Sequence, residues 1–253
     1  MTEFRPGGFQ MIPPVIKNLI IANVLIFIAQ QVFANNPYLN IDNFFALHDI
    51  HSDYFRPHQL VTHMFMHGGW DHLFFNMFAL WMFGSILENV WGGKRFLTYY
   101  MICGLGAAVL HLAVLYYENG VMINAYNSLA LKPNNYEQAL ISFLNKYDPA
   151  QQIGNPSDIV SVRLNEATLG ASGAIFGCLA AFGYLFPNSL IYLYFFVPIK
   201  AKWFVLLYAG MEFFLGIRNS AGDNVAHWAH LGGAAVGILL VIYWNRNNRR
   251  NFY

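Results

Sequence analysis

Ser172 stands in the stretch Gly170-Ala171-Ser172-Gly173, and two histidines, His227 and His230, follow later in the chain. A serine hydroxyl and an imidazole are the pair that acyl transfer needs: the base takes the proton and the oxygen attacks a carbonyl. Ser172 by itself is a weak signal. A hydrolase nucleophile elbow would carry glycine where Ala174 stands and a strand before it, and small residues in an apolar helix commonly serve close packing. His72 and Asn76 are four residues apart and so share one helical face. They read either as a polar pair that fixes helix packing or as two donors for a developing oxyanion, which must be preorganised. His63 and His67 repeat the spacing, but no carboxylate or thiolate joins them at ligand spacing and no His-Glu-x-x-His motif occurs. No metal site and no cofactor are expected.

The elements that must position these residues are membrane helices. Charged residues make up 11% of the chain and apolar ones 57%, against about 25% charge in an ordinary soluble domain. The net charge of +1, with no basic cluster beyond Arg246, Arg249 and Arg250, excludes a nucleic-acid partner. Cys103 and Cys178 lie inside apolar runs and read as two buried thiols, without a disulfide framework.

A bilayer core asks for about 20 apolar residues per helix. Charge-poor runs predict six spans, at 19–33, 71–88, 95–118, 168–187, 203–217 and 225–244. The tight turn Trp91-Gly92-Gly93-Lys94 makes a hairpin of the second and third. Segment 190–199 is apolar but too short to span, and reads as interfacial or as an early turn of the fifth helix. Lys and Arg are concentrated at the termini and in the loops holding Lys94, Arg95, Lys200 and Lys202, which places both termini in the cytoplasm. The chain then reads as a single membrane domain over 1–253. Residues 118–167 form a non-cytoplasmic insert within it. There Tyr136, Ala139, Leu140, Phe143, Leu144 and Tyr147 recur at helical spacing, with Asn134 or Asn135 as cap and Pro149 past the end, predicting an amphipathic helix on the membrane domain or at its interface.

Ionisable groups within hydrocarbon are costly and face the interior of a bundle. In this topology His63, His67, His72, Asn76, Ser172, His227 and His230 all fall toward the non-cytoplasmic side. Gly173 with Gly177, and Gly233 with Gly237, are small-xxx-small pairs that let the fourth and sixth helices approach closely. That contact would carry Ser172 to His230, which shares a face with Gly233; His227 also faces inward, and spacing leaves the base open between the two. Glu88 and Glu212 have no basic partner at helical spacing and read as structural hydrogen-bonding acids.

Taken together, these residues resemble a rhomboid intramembrane serine protease. The resemblance rests on His67-Gly68-Gly69-Trp70-Asp71-His72 followed by Asn76, on Gly170-Ala171-Ser172-Gly173, and on Ala229-His230-Leu231-Gly232-Gly233 with Gly237. It implies an all-α, six-helix membrane bundle with Ser172 as nucleophile and His230 as base. It also implies His72, Asn76 and the N–H of Ser172 as the oxyanion hole, and protein substrates cut within their own transmembrane helices in the lipid bilayer. No third acid is expected beside the base, so the pair reads as a Ser-His dyad. The family's common Trp-Arg pair before the second helix is replaced by His58-Gln59, and the insert is longer than the usual connection. A bacterial inner (plasma) membrane is the expected location. A six-helix transporter would show a repeat between halves, and none is present in the sequence. A non-catalytic relative that binds membrane clients would lack Ser172 or His230.

Overall fold

The computed structural model describes residues 8–34, 36, 40–129, 131, 135–150, 152–193, 196–218 and 225–247. Arg5, Lys132, Asn134, Arg249 and Arg250 lie outside them. Helix α1 (Pro14–Phe33) begins with proline at its first position, where the missing N–H costs nothing. Two of its free first-turn donors, the N–H groups of Val15 and Ile16, go to the carboxylate oxygens of Glu88 at 2.9 and 2.8 Å. Glu88 is therefore a structural acid, as the sequence suggests: it caps a helix 72 residues away.

Short helices α2 (Ile41–Phe45) and α3 (Gln59–Thr62), with a tight turn at His63–Phe65, lead to α4 (Trp70–Ala79). Gln59 organises this loop. Its carbonyl oxygen accepts from the N–H groups of His48 and Arg56, and its amide donates to Tyr54 O at 2.8 Å, while the His58 ring meets Phe44 O. The position that departs from the family pattern is thus filled by a buried hydrogen-bonding hub. Helix α4 passes through a widened turn (Leu80–Gly84) into α5 (Ser85–Trp91), and Gly92 then reverses the chain into α6 (Gly93–Leu129). The reversal needs glycine, since φ at Gly92 is 78°.

Helix α6 runs on to Leu129, eleven residues past the expected end at Glu118. Its extension, α7 (Tyr136–Tyr147) and α8 (Pro156–Leu164) enclose a second small core of Met122, Leu129, Phe143 and Ile159. The expected face of α7 is correct, but Ala139, Leu140, Leu144 and Tyr147 pack on this core. Of the two placements expected for this face, on the membrane domain or at its interface, it takes the helical partners α6 and α8, since an apolar stripe buries against the nearest apolar surface.

Helix α9 (Ser172–Leu185) follows, shorter than the predicted run because 168–171 is a loop pinned by a Leu47–Thr168 backbone pair at 2.8 and 2.7 Å. Strands β1 (Leu190–Leu193) and β2 (Val197–Lys200) form an antiparallel hairpin. This overturns the early-helix reading of the segment: β-branched and aromatic residues favour strands, and Pro198 cannot stand in a helix interior. Helices α10 (Ala201–Arg218) and α11 (His227–Asn247) complete the molecule. Among the described residues, Pro14–Phe33, Trp70–Trp91, Gly93–Leu129 and His227–Arg246 are long and apolar enough to cross a membrane, and Ser172–Leu185 is a shorter apolar helix.

Helix α9 is buried from Gly173 to Gly183 and lies against α6 and α11. A Cβ at Gly177 would stand 3.1 Å from Gly233 O, and one at Gly237 would stand 3.0 Å from Gly177 Cα. Tyr99 of α6 donates its hydroxyl to Gly177 O at 2.7 Å. These are the small-residue contacts expected of the fourth and sixth helices. Both Cys103 and Cys178 are free and buried.

Candidate active site

Three helix N-termini converge on one point. Ser172 is the first residue of α9, His72 lies in the first turn of α4 and His230 in the first turn of α11. The first amides of a helix have no intrahelical acceptor and carry the positive end of its dipole, so the meeting point favours negative charge.

His230 Nε2 stands 2.9 Å from Ser172 Oγ. Its other nitrogen, Nδ1, meets Glu212 Oε2 of α10 at 2.8 Å, and the same oxygen meets His227 Nδ1 at 2.7 Å. A carboxylate only accepts, so both Nδ1 atoms carry the proton. His230 Nε2 is left with its lone pair toward the serine hydroxyl, the tautomer that a general base requires. The ring is also clamped from its face: Phe176, one turn along α9 from Ser172, stacks on it at 4.2 Å with 5° between planes. Of the two histidines that spacing alone left open, His230 reaches Ser172, and His227 meets only Glu212 of these groups.

The expectation of a base with no acid beside it is corrected. Glu212 lies 18 residues before His230 on another helix, so no helical periodicity linked them; the only trace was an acid inside an apolar run.

On the other side of Ser172, the Gly68 N–H lies 3.3 Å from His72 Nδ1. With Nδ1 accepting, the ring proton sits on Nε2. That atom packs against Gly170, where an added Cβ would stand 2.9 Å from His72 Nε2 and 3.6 Å from Ser172 Oγ. Gly170 has φ of 129°, closed to other residues on backbone grounds as well, and its N–H is held by His63 O at 2.9 Å. Gln30 of α1 secures the chain entering α4, accepting from His67 N–H at 2.9 Å. Asn76 is buried one turn beyond His72 and lines the same cavity. His111 of α6, which sequence reasoning did not single out, also lines it and bonds Thr168 Oγ1 at 2.7 Å.

The cavity has a volume of about 1500 Å³. Ser172, His230, His72 and Asn76 line it together with Phe75, Met82 and Phe83 on one wall and Phe204 and Tyr208 on another. The polar residues Glu118, Arg163 and Glu166 of the insert also border it. His63 lies behind this wall, its Nδ1 on Gln59 O, and His67 stacks edge-on against His72.

Glu212, His227 and His230 bring three potential metal-ligand atoms within 4.8 Å of one another. An ion held at about 2.0–2.2 Å from nitrogen and oxygen separates its ligands by roughly 3.3 Å. Contacts of 2.7 and 2.8 Å fit direct hydrogen bonds instead.

A profile of the Rhomboid domain matches residues 54–247. The chain belongs to the rhomboid family. Its relatives include RHOMBOID-like protein 12, mitochondrial, of Arabidopsis thaliana, 29% identical over 94% of this chain and 60% of that protein. Rhomboid protein 1, mitochondrial, of Saccharomyces cerevisiae is 28% identical over 71% of this chain and 40% of that protein. The putative rhomboid protease YdcA of Bacillus subtilis is 24% identical over 77% of this chain and 70% of that protein. This rhomboid thus spans 60% and 40% of the lengths of the first two. Family and helices together make it a membrane protein. The bacterial inner membrane gains no support, because the plant and yeast relatives named above carry mitochondrial names.

Proposed function

We propose that this rhomboid is an intramembrane serine endopeptidase that cuts transmembrane segments of other membrane proteins. The observation that carries the reading is the 2.9 Å contact of Ser172 Oγ with a lone-pair-bearing His230 Nε2 on a cavity wall. His230 takes the hydroxyl proton as Ser172 Oγ attacks the substrate carbonyl carbon. The oxyanion is met by the Ser172 N–H, His72 Nε2–H and Asn76, aided by the converging helix N-termini. His230 then returns the proton to the leaving amine, and water, activated by the same base, releases the acyl group.

Six helices cross the bilayer in this reading: α1, α4 with α5, α6, α9, α10 and α11. At 14 residues, α9 is about 21 Å long, short of a hydrocarbon core of about 30 Å. Its preceding loop is tolerated because Gly170 and Ala171 are buried in protein, Thr168 and Leu169 line the cavity, and Thr168 pairs with residue 47. That shortness sets Ser172 below the membrane surface, and the cavity supplies water to it. The basic termini stay on the cytoplasmic side, with the cavity and the 118–167 insert opposite.

The test is labelling of the purified chain by a fluorophosphonate serine probe. The expected result is covalent labelling that Ser172→Ala abolishes and Ser142→Ala leaves intact. Equal labelling of the Ser172→Ala variant would overturn the assignment.

A further inference from the structure

We infer that Glu212 is a positioning residue that orients His230 for catalysis, so that the working unit is Ser172, His230 and Glu212 with His227 as a second donor to the acid. The inference rests on the reading of Ser172 as nucleophile and goes beyond it.

A carboxylate is costly within a membrane helix bundle unless each of its partners is in place. Glu212 is buried at 3% exposure on α10, and one of its oxygens takes both imidazole N–H groups, at 2.7 and 2.8 Å. His227 alone would satisfy that oxygen as a structural bond. The second contact does more, because it reaches the nitrogen opposite the one that meets Ser172 Oγ. Three consequences follow from that placement. The proton is kept on Nδ1, leaving Nε2 to act as base. Ring rotation is fixed from one edge by Glu212, with Phe176 on the face. When Nε2 takes the serine proton, the imidazolium forms beside a negative charge already in position, with no reorganisation required. His227 approaches the same oxygen from a ring nearly perpendicular to that of His230, at 88°, and so holds the carboxylate in line without touching Ser172.

The experiment uses the purified full chain and the fluorophosphonate probe, and measures the maximal inactivation rate and the half-saturating probe concentration separately. Glu212→Leu is expected to lower the maximal rate by roughly 10²-fold or more; altering the triad acid of a serine protease costs about 10⁴-fold. The half-saturating concentration should change by less than about twofold, since the acid acts through the base. Glu212→Gln keeps an oxygen at the shared position but loses the charge, and is expected to lose at least about tenfold. In a His230→Ala background neither substitution should lower the residual rate further, a dependence that a purely structural role would not show. A Glu212→Leu rate within about threefold of the parent overturns the inference, as does a loss confined to probe saturation or a full further loss on top of His230→Ala. Where Glu212→Leu fails to fold, the Gln variant decides by the same comparison: lowered alone and silent with His230→Ala supports the inference, and unchanged alone overturns it. Ser172→Ala, run alongside, separates this outcome from failure of the nucleophile assignment itself.

Discussion

Gly233 and Gly173 meet backbone to backbone: a Cβ on Gly233 would collide with Gly173 O. One residue beyond Ser172 on α9 therefore touches a site three residues past His230 on α11, and this contact limits the distance between Ser172 and His230. Gly237→Leu is expected to force the helices apart, because an added Cβ would stand 3.0 Å from Gly177 O. Overpacking of this kind costs about 1–3 kcal/mol or more. Thermal unfolding and probe labelling should both show the loss, and an unchanged melting temperature with full labelling would refute the packing account.

Ser172 and His230 act as one unit if the proton transfer is as described. Ser172→Ala, His230→Ala and the double variant should fall to a similar residual rate against a transmembrane reporter substrate, since members of such a unit are strongly non-additive. His227→Ala is expected to keep substantial activity, because Glu212 retains its bond to His230. A double variant far slower than either single one, or an inactive His227→Ala beside an active His230→Ala, would count against this pairing.

His72 and Asn76 are expected to act on the transition state and little on binding. Loss of one oxyanion donor costs on the order of 10² to 10³ in turnover, so Asn76→Ala should lower kcat with KM nearly unchanged. Gly170→Ala should do likewise, since its methyl would press on the His72 ring. Steady-state kinetics on the reporter decides, and a raised KM with intact kcat would move the pair to substrate binding.

Arg163 and Glu166 border the cavity from the insert, half exposed and 3.7 Å apart. The insert has its own core, so changes at its surface should alter substrate choice and spare the fold. Arg163→Glu with Glu166→Arg is expected to change the rate on a transmembrane reporter with charged flanks and leave small-probe labelling intact. In intact cells, Ser157→Cys should react with an impermeant thiol reagent and Asn247→Cys should not; the reverse pattern would invert the topology.

Burial pushes the His63 and His67 imidazoles from 6.5 down to about 4. Below pH 6.5 the unfolded chain binds protons that the folded one refuses, so this stability is complete above pH 6.5 and lost as pH falls toward 4. The melting temperature in detergent should drop by roughly 5 °C or more between pH 7.5 and pH 5. His63→Gln should flatten that dependence, and an equally steep slope in the variant would assign it to other groups.

The sequence by itself determined the membrane character, the small-residue faces of the helices that carry Ser172 and His230, and the helical face shared by His72 and Asn76. These are properties of short-range pattern: charge-free length, glycine spacing and i, i+4 faces are written within single helices. It also carried the amphipathic face of α7, though not the surface that face covers. Tertiary structure decided what depends on groups from different helices meeting. It brought the His230 ring to Ser172 Oγ, as the family resemblance implied, and it joined Glu212 to both histidines across α10 and α11. It made Gln59 a hub for loop carbonyls and amides, and turned 190–199 into a hairpin. Partner choice across helices depends on rotation about each helix axis, and that rotation is fixed by packing contacts such as Gly233 on Gly173, which no local spacing encodes.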